Sequence, residues 1–285
     1  MTEIAHFNGK LLPLDQIHVS PLDRGFIFGD GVYEVIPVYG GAPLRAREHF
    51  ERLQRSMDEI GLANPHSVDE WIALTDELLE HHPGNQSVYI QVTRGAPQKR
   101  DHVIPRGLEP TVFMMCYPLA SPSREAIDNG VACVTAPDFR WEKCHIKSTS
   151  LLGNVLARQI SADAGATETI LLRGGLLTEA SSSNVFVVKD GVVIAPPKDN
   201  LILPGITYDA TLEIARDAGV QLEVRPVPHA EAMHADEMWL SSSTKEVLAV
   251  TTVDGRPYGS GKPGPVFRRV WEAFQKAKAA VPAPA

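Results

Sequence analysis

The sequence is poor in cysteine and has no long apolar run. Its three cysteines, Cys116, Cys133 and Cys144, are an odd number without a CxxC pair, which is typical of reduced thiols in a cytoplasmic protein. No apolar run approaches the roughly 20 residues that are needed to span a bilayer. The N-terminal segment MTEIAHFNGK lacks the basic and apolar regions of a signal peptide. We therefore expect a cytoplasmic protein with no membrane segment.

Positive charge is also scarce, because the net charge at pH 7 is −8. Nucleic acids attract clustered Lys and Arg side chains, so this charge balance argues against non-specific binding of nucleic acid. A small phosphorylated ligand stays possible, because it needs only a few local donors.

Several common catalytic motifs are missing. The chain has no GxxxxGK[ST] phosphate loop and no GxSxG nucleophile elbow. The segment GDGVYE begins like a dinucleotide fingerprint, but Glu34 stands where the third glycine belongs, and no helix is predicted after it. His81 and His82 are adjacent, and His229 and His234 are five residues apart rather than four. We therefore expect neither a Rossmann site nor a helical zinc site.

The patterns that are present indicate both strands and helices. The Asn-Gly pair in IAHFNGKLL predicts a hairpin. Apolar residues recur every three or four positions from Ala46 to Ile60, which predicts a helix closed by Gly61. Ser67 and Glu70 have the spacing of a capping box at the start of a second helix. The segment SVYIQVTRG alternates apolar and polar residues, as a strand with two different faces does.

The domain organisation follows from length and from the order of these patterns. A chain of 285 residues with 44% hydrophobic and 22% charged residues is long enough for two compact globular domains. We predict an α+β fold with an N-terminal α/β domain at residues 1–119, a linker at residues 120–126, and a C-terminal domain at residues 127–285.

Lys147 is the first candidate for a catalytic residue. It lies in CHIKSTSLLGN, a segment that leads toward the interior and into a predicted helix. Glu179 follows in the strand meander around LLTEASSSN, and LPGITYD places a glycine loop directly at a helix start, where backbone N–H groups favour an anion. The hydroxyls of Ser181, Ser182 and Ser183 are interpreted as donors to a loop or an anion. A buried lysine, a carboxylate and an anion site together fit pyridoxal phosphate.

Around these residues the chain resembles the class IV, or fold-type IV, pyridoxal-phosphate aminotransferases, most closely the D-amino-acid group. The resemblance covers residues from about 20 to 250 and is carried by DRGFIFGDGVYEVIPVY, EHFERL, VYIQVTRG, RWEKCHIKSTSLLGNVLA, LLTEASSSNVF, LPGITYD and WLSSSTKE. It implies a small N-terminal α/β domain, a larger C-terminal α/β pseudo-barrel domain, and a homodimer.

The resemblance also implies a role for individual residues toward pyridoxal 5'-phosphate. Lys147 is the Schiff-base lysine and proton carrier, and Glu179 is the partner of the pyridine nitrogen. Leu203 packs on one face of the ring. Four residues are expected to bind the phosphate: Arg52, which lies off the apolar stripe of its helix, and Ile206, Thr207 and Ser243.

The substrate-binding residues decide between three chemistries of the family. In the D-amino-acid group a tyrosine, an arginine and a histidine hold the substrate carboxylate, the last two from the partner subunit. Tyr33, Arg100 and His102 match them, and arginine suits a carboxylate because it can donate two parallel hydrogen bonds. The interval before Arg100 is one residue longer than in the family pattern, which leaves Lys99 as an alternative.

Val35 and Ser183 are expected to line the same site. We therefore expect transamination between a D-amino acid, such as D-alanine, and a 2-oxo acid, such as 2-oxoglutarate or pyruvate. A branched-chain L-amino-acid aminotransferase and an aminodeoxychorismate lyase remain the alternatives. Gln91 and Thr93 argue against the first, since an arginine-bearing strand is typical there, and Tyr33 argues against the second, since phenylalanine is more usual.

Overall fold

The structure is a computed structural model that describes residues 3–280. The described chain divides into two compact units. Unit 1 comprises residues 3–120 and 146–151, and unit 2 comprises residues 121–145 and 152–280. Residues 124–126, part of the segment expected as a linker, form the first turn of a helix.

Unit 1 contains one antiparallel sheet of six strands in the order β2-β1-β6-β5-β3-β4. Its elements in chain order are β1 (Ile4–Phe7), β2 (Lys10–Pro13), α1 (Arg24–Phe28), β3 (Gly31–Tyr39), β4 (Ala42–Pro43), α2 (Ala46–Glu59), α3 (Val68–Leu79), β5 (Gln86–Thr93) and β6 (Thr111–Pro118).

Local signals explain where several of these elements begin and turn. Asn8 and Gly9 both have positive φ, at 47° and 81°, so the predicted Asn-Gly hairpin between β1 and β2 is confirmed. The capping box at the start of α3 is also confirmed, because Ser67 accepts from the Glu70 backbone N–H at 3.3 Å and its own N–H donates to the Glu70 carboxylate at 2.6 Å.

The sheet of unit 1 has two different faces, as the alternation in β5 predicts. Val88, Ile90 and Val92 are fully buried in a cluster with residues of α2 and α3. The residues between them, Tyr89 and Gln91, lie on the opposite face and are only half-buried. One face therefore carries the core, and the other is available for polar and aromatic side chains.

Unit 2 contains a nine-stranded mixed sheet in the order β12-β11-β10-β13-β14-β7-β8-β9, with β15 paired to β14, curled into a half-barrel. Its elements in chain order are α4 (Arg124–Asn129), β7 (Val131–Pro137), α5 (Leu152–Asp163), β8 (Glu168–Arg173), β9 (Leu176–Ala180), β10 (Asn184–Lys189), β11 (Val192–Ala195), α6 (Ile206–Asp217), β12 (Leu222–Val224), α7 (His229–Met233), β13 (Glu237–Ser242), β14 (Glu246–Val253), β15 (Arg256–Pro257) and α8 (Pro265–Ala279).

Both faces of this sheet are covered by apolar side chains. Along β10, Val185 and Val187 belong to one buried cluster, whereas Phe186 and Val188 belong to a second cluster with residues of α6 and α8. The predicted α+β architecture, with a smaller N-terminal part and a larger C-terminal pseudo-barrel, is confirmed. Among the helices of residues 3–280, none combines the length and apolar character required to cross a bilayer.

Candidate active site

Lys147 is fixed by its backbone to the sheet of unit 1. The short segment 146–151 runs antiparallel to β3. The Tyr33 N–H donates to the Lys147 carbonyl at 2.9 Å, and the Thr149 N–H donates to the Gly31 carbonyl at 3.0 Å. The Lys147 N–H donates to Ser56 Oγ of α2 at 3.2 Å. These hydrogen bonds place Lys147 directly beside the first residues of β3.

The side chain of Lys147 lies on the half-buried face of the sheet. Its Nζ is 4.3 Å from the centre of the Tyr33 ring, a cation–π distance. The Tyr33 ring in turn stacks on Tyr89, with 5.8 Å between ring centres. Val35 is two residues further along β3 and pairs with Tyr89 in the sheet register. The structure therefore brings together Lys147, Tyr33 and Val35, three of the predicted site residues.

Arg52 is buried in an ion pair with Glu34 of β3. Its Nη2 and Nε donate to the two carboxylate oxygens of Glu34 at 2.6 and 3.0 Å. His49 Nδ1 lies 3.0 Å from the same carboxylate. Burial alone raises the pKa of Glu34, but the charges of Arg52 and His49 outweigh burial and hold that pKa well below its usual range. Arg52 is 3% exposed, so its place off the apolar stripe of α2 does not make it a surface charge.

Arg100 and His102 lie together on an exposed loop between β5 and β6. Both contact the ring of Phe28. The Arg100 guanidinium carbon is 4.8 Å from the ring centre, and the His102 ring centre is 5.1 Å from it. Phe28 thus holds the two predicted carboxylate-binding residues on one aromatic surface.

Glu179 is buried at the end of β9 in unit 2. Its Oε1 accepts from Arg140 Nη1 at 2.5 Å, and its Oε2 accepts from the Leu203 N–H at 3.0 Å and from Asn184 Nδ2 at 3.2 Å. Burial raises the pKa of Glu179 to about 7, against the opposing charge of Arg140. A carboxyl group with this pKa is able to hold or release a proton near neutral pH.

The hydrogen bonds of Arg140 help to explain why Glu179 is not fully ionised near neutral pH. Arg140 Nε and Nη2 both donate to Asp138, each at 3.0 Å, so that only Nη1 reaches Glu179. Asp138 also adds negative charge near Glu179. Neither Arg140 nor Asp138 was predicted to be a site residue. The segment RWEKCH, which contains Arg140 and comes shortly before Lys147, was the signal that could have identified Arg140.

The loop before α6 leads from the Glu179 carboxyl to a helix start, a place that favours an anion. Helix α6 begins at Ile206, and its N-cap residue Gly205 provides no side-chain cap. A Cβ atom at Gly205 would clash with Asn184 Oδ1, so the close approach of these two residues requires glycine. Asn184 Nδ2 also donates to the Leu203 carbonyl at 2.9 Å. Asn184 therefore binds both the backbone of this loop and the Glu179 carboxyl.

These features of unit 2 fit pyridoxal phosphate. The ring nitrogen requires a buried carboxyl group, which Glu179 provides, and the phosphate requires N–H donors, which the first turn of α6 at Ile206 and Thr207 provides. Ser241 Oγ is buried without a hydrogen-bond partner among the described residues, which leaves a donor for a bound group.

Ser183 and Ser243 are in two neighbouring turns of unit 2 that a buried carboxylate connects. Glu168 accepts from all three hydroxyls of Ser181, Ser182 and Ser183, at 2.6 and 2.8 Å for the last two. Lys245, two residues after Ser243, pairs with the same carboxylate at 2.9 Å. The anion that the three hydroxyls were expected to bind is thus a side chain of the protein itself.

The sequence matches a known protein family and is similar to known aminotransferases. A model of the amino-transferase class IV family matches residues 31–253. The D-alanine aminotransferase of Bacillus licheniformis is 42% identical over 271 residues, which are 94% of this chain and 95% of that protein. The D-alanine aminotransferase of Staphylococcus aureus (strain N315) is 40% identical, with the same coverage of 94% and 95%.

Solved structures of branched-chain amino acid aminotransferases have a similar fold. The Escherichia coli enzyme has a TM-score of 0.86 at 25% identity, and the comparison covers 96% of this chain and 94% of that one. The T.th. enzyme, solved with pyridoxamine 5'-phosphate, has a TM-score of 0.91 at 25% identity, covering 97% and 94%.

Proposed function

Because this chain belongs to the class IV aminotransferase family, we propose that it transfers the amino group of a D-amino acid, such as D-alanine, to a 2-oxo acid, such as 2-oxoglutarate or pyruvate. The observation that carries this proposal is the position of Lys147 Nζ, 4.3 Å above the ring of Tyr33 on the half-buried face of the sheet. An amine in this place is held by the protein and is not paired with a carboxylate in any hydrogen bond or ion pair described for residues 3–280.

The cofactor of this reaction is pyridoxal 5'-phosphate, which when bound supplies a ring that accepts electrons from the substrate's α-carbon. Glu179 would hold the ring nitrogen, and its own pKa of about 7 would let it share the proton there. Leu203 would pack on one ring face, and the N–H groups of Ile206 and Thr207 would donate to the phosphate.

Two further side chains complete the phosphate site in this proposal. Ser243 contributes a hydroxyl from the turn after β13, and Arg52 contributes charge. Glu34 engages Nε and Nη2 of Arg52 and so fixes the plane of the guanidinium group.

Lys147 has two tasks in this proposal. Its Nζ would hold the cofactor covalently, and the same amine would take up and return the substrate's α-proton. The backbone hydrogen bonds to Tyr33 and Ser56 support these tasks, because they fix the position from which the side chain extends.

The substrate is oriented by its carboxylate. In the proposed homodimer the Tyr33 hydroxyl binds that carboxylate together with Arg100 and His102 of the partner subunit, and Val35 and Ser183 line the site. Holding the carboxylate on one side determines which hydrogen of the α-carbon faces Lys147, so this binding sets the preference for D-amino acids.

We also propose a homodimer. On helix α5 the side chains of Leu152, Val155, Leu156 and Ile160 form one stripe and are between 38% and 71% exposed. A continuous apolar stripe of this kind supports burial against another protein surface. Val155→Asp should convert the dimer into monomers in light scattering coupled to size-exclusion chromatography, whereas Val155→Leu, which keeps an apolar side chain at the same position, should not.

A single-turnover spectrum tests the proposed activity. The holoenzyme is mixed separately with D-alanine and with L-leucine, and the absorbance band of the bound cofactor is followed. Rapid bleaching with D-alanine alone is the expected result. Bleaching with L-leucine alone would reject the D-specific function and assign the chain to the branched-chain activity.

The role of Lys147 is tested by substitution. Lys147→Ala should abolish turnover and leave the far-UV circular dichroism unchanged, because the side chain is half-buried and its backbone contacts remain. Lys143→Ala, an exposed lysine of the same segment, is the matched control and should retain full activity. Full activity of Lys147→Ala would overturn the assignment.

A further inference from the structure

The segment DRGFIF at residues 23–28, which includes α1, has no role in the proposed chemistry. It contacts the loop that carries Arg100 and His102 at three levels: the base of the loop, its backbone, and its functional side chains. The loop itself, residues 94–110, contains no helix or strand, and its middle part is exposed.

Asp23 joins the two ends of the loop. Its Oδ2 accepts from Thr93 Oγ1 at 2.9 Å, at the end of β5, and from Thr111 Oγ1 at 2.7 Å, at the start of β6. The Arg24 N–H donates to the Gly95 carbonyl at 2.9 Å. The base of the loop is therefore closed by α1 and not only by the sheet.

Arg24 holds the backbone of the loop. Its Nη1 donates to the carbonyls of Asp101 at 2.6 Å and Val103 at 3.4 Å, and its Nη2 donates to the carbonyl of His102 at 3.4 Å. A planar guanidinium group suits this task, because it presents several N–H donors in a fixed arrangement. The three acceptors are consecutive residues that include one of the carboxylate-binding side chains.

Arg24 is itself held in place by a buried network. Its side chain is 5% exposed, and its Nε donates to Asp30 at 2.7 Å. Arg94 donates to the same carboxylate at 2.8 Å and also to the carbonyls of Gly61 and Ile60. Arg24 is therefore a fixed point from which the exposed loop is positioned.

We propose that Arg24 is a positioning residue for substrate recognition, and that with Phe28 it sets where Arg100 and His102 lie. This inference rests on the proposed function, because it assigns the loop its task of binding the substrate carboxylate. Phe28 contacts both functional side chains from one side, and Arg24 fixes the backbone between them. A displaced loop still reaches the substrate, but the carboxylate is bound less often in the correct position.

The test compares Arg24→Lys with Arg106→Lys in the holoenzyme. Arg24→Lys keeps a positive charge beside Asp30 but loses the fork that reaches three carbonyls, whereas Arg106 is an exposed residue of the same loop. Arg24→Lys should raise KM for D-alanine roughly 10-fold to 100-fold with little change in kcat. Arg106→Lys should match the wild type. An unchanged KM in Arg24→Lys would overturn the proposal.

A double-mutant cycle with Arg100→Ala distinguishes positioning from a general loss of structure. If Arg24 acts through the loop, Arg24→Lys should add little to the KM of Arg100→Ala, because the contact that it positions is already gone. If the two substitutions instead raise KM independently, so that their fold-changes multiply in the double variant, Arg24 does not act through Arg100. That result would also overturn the proposal.

Limited trypsin digestion gives a readout that does not depend on activity. Cleavage after Lys99 and Arg100 should be several-fold faster in Arg24→Lys than in wild type, as followed by mass spectrometry of the native protein. Equal cleavage rates would contradict the anchoring. If the wild type ignores D-alanine while the cleavage rates still differ, the proposed function fails and the anchoring of the loop stands.

Discussion

Glu34 and Glu179 are both buried carboxyl groups that face an arginine, yet their pKa values shift in opposite directions. For each, burial by itself raises the pKa. The pKa of Glu34 nevertheless falls well below its usual range, whereas that of Glu179 rises to about 7. One carboxyl group lies in unit 1 and the other in unit 2.

The two carboxyl groups differ in how much of the arginine each receives. Glu34 accepts from both Nε and Nη2 of Arg52 and has His49 at 3.0 Å. Glu179 accepts only Nη1 of Arg140, since Asp138 takes the other two nitrogens. The presence of an arginine therefore does not decide whether a buried carboxyl is ionised. For Glu179 burial has the largest influence on the pKa, and Asp138, which takes two nitrogens of Arg140, adds to it.

Removing the charge of Glu34 should have the largest effect on stability. Glu34→Gln leaves Arg52 buried without its counter-charge, so the free energy of unfolding should fall by roughly 3–5 kcal/mol. Denaturant unfolding of the purified protein measures this change in the free energy of unfolding. The control is Glu51→Gln, an exposed residue that precedes Arg52 in α2. An equal loss of stability in both variants would mean that burial of Glu34 does not matter.

The two carboxyl groups should also respond oppositely to pH in the apoprotein. The pKa of Glu34 is below its reference value of 4.5, so its stabilising contribution is present above that pH and is lost as pH falls. The pKa of Glu179 is raised from 4.5 to about 7, so its contribution becomes less favourable as pH rises between these values.

Unfolding of both Gln variants between pH 4 and pH 8 checks these signs. The stability deficit of Glu34→Gln should shrink as pH falls below about 5. Glu179→Gln should gain stability relative to wild type as pH rises from about 5 to about 7. Parallel curves for the two variants would contradict the opposite pKa shifts.

A substitution at Asp138 should make Glu179 resemble Glu34. Asp138→Asn removes the competing charge, so Arg140 is released toward Glu179 and the pKa of Glu179 should fall by about one unit or more. A carbon-detected NMR titration of the side-chain carboxyl groups measures this pKa. Asp128→Asn on the surface of α4 should leave it unchanged, and an unchanged pKa in Asp138→Asn would reject competition as the cause.

The smallest effect is expected for an ion pair outside the core. Arg47 and Asp69 approach to 2.7 Å, but both side chains are more than half exposed. Arg47→Met should not change the free energy of unfolding measurably, because water and salt screen such pairs. A loss as large as that of Glu34→Gln would mean that burial is not what separates these ion pairs.

Local signals were sufficient to predict much of the fold. The Asn-Gly turn at Asn8, the capping box at Ser67 and the two faces of β5 each depend on neighbouring residues, and the structure has all of them. The family was predicted from short motifs, and the class IV match confirms it.

The partners of the buried charges could not be predicted in this way. Arg52 was expected to bind the phosphate because it lies off the apolar stripe of its helix, but a helical pattern shows only hydrophobicity and not a carboxylate such as Glu34 on a facing strand. Arg140 and Glu179 are 39 residues apart in sequence, and nothing in either segment indicates that Asp138 divides the arginine between them. The roles assigned to Arg52 and to the other site residues remain predictions for the experiments above.

The position of residues 146–151 has a consequence for how the protein is made. The ribosome completes residues 121–145 of unit 2 before it supplies the segment that pairs with β3. Until then, one edge of β3 at Gly31–Tyr33 exposes unpaired N–H and C=O groups in the nascent chain. A truncated gene that ends at residue 120 would keep this edge open permanently, so its product should tend to aggregate. The segment that carries Lys147 therefore completes unit 1 only after part of unit 2 has been synthesised.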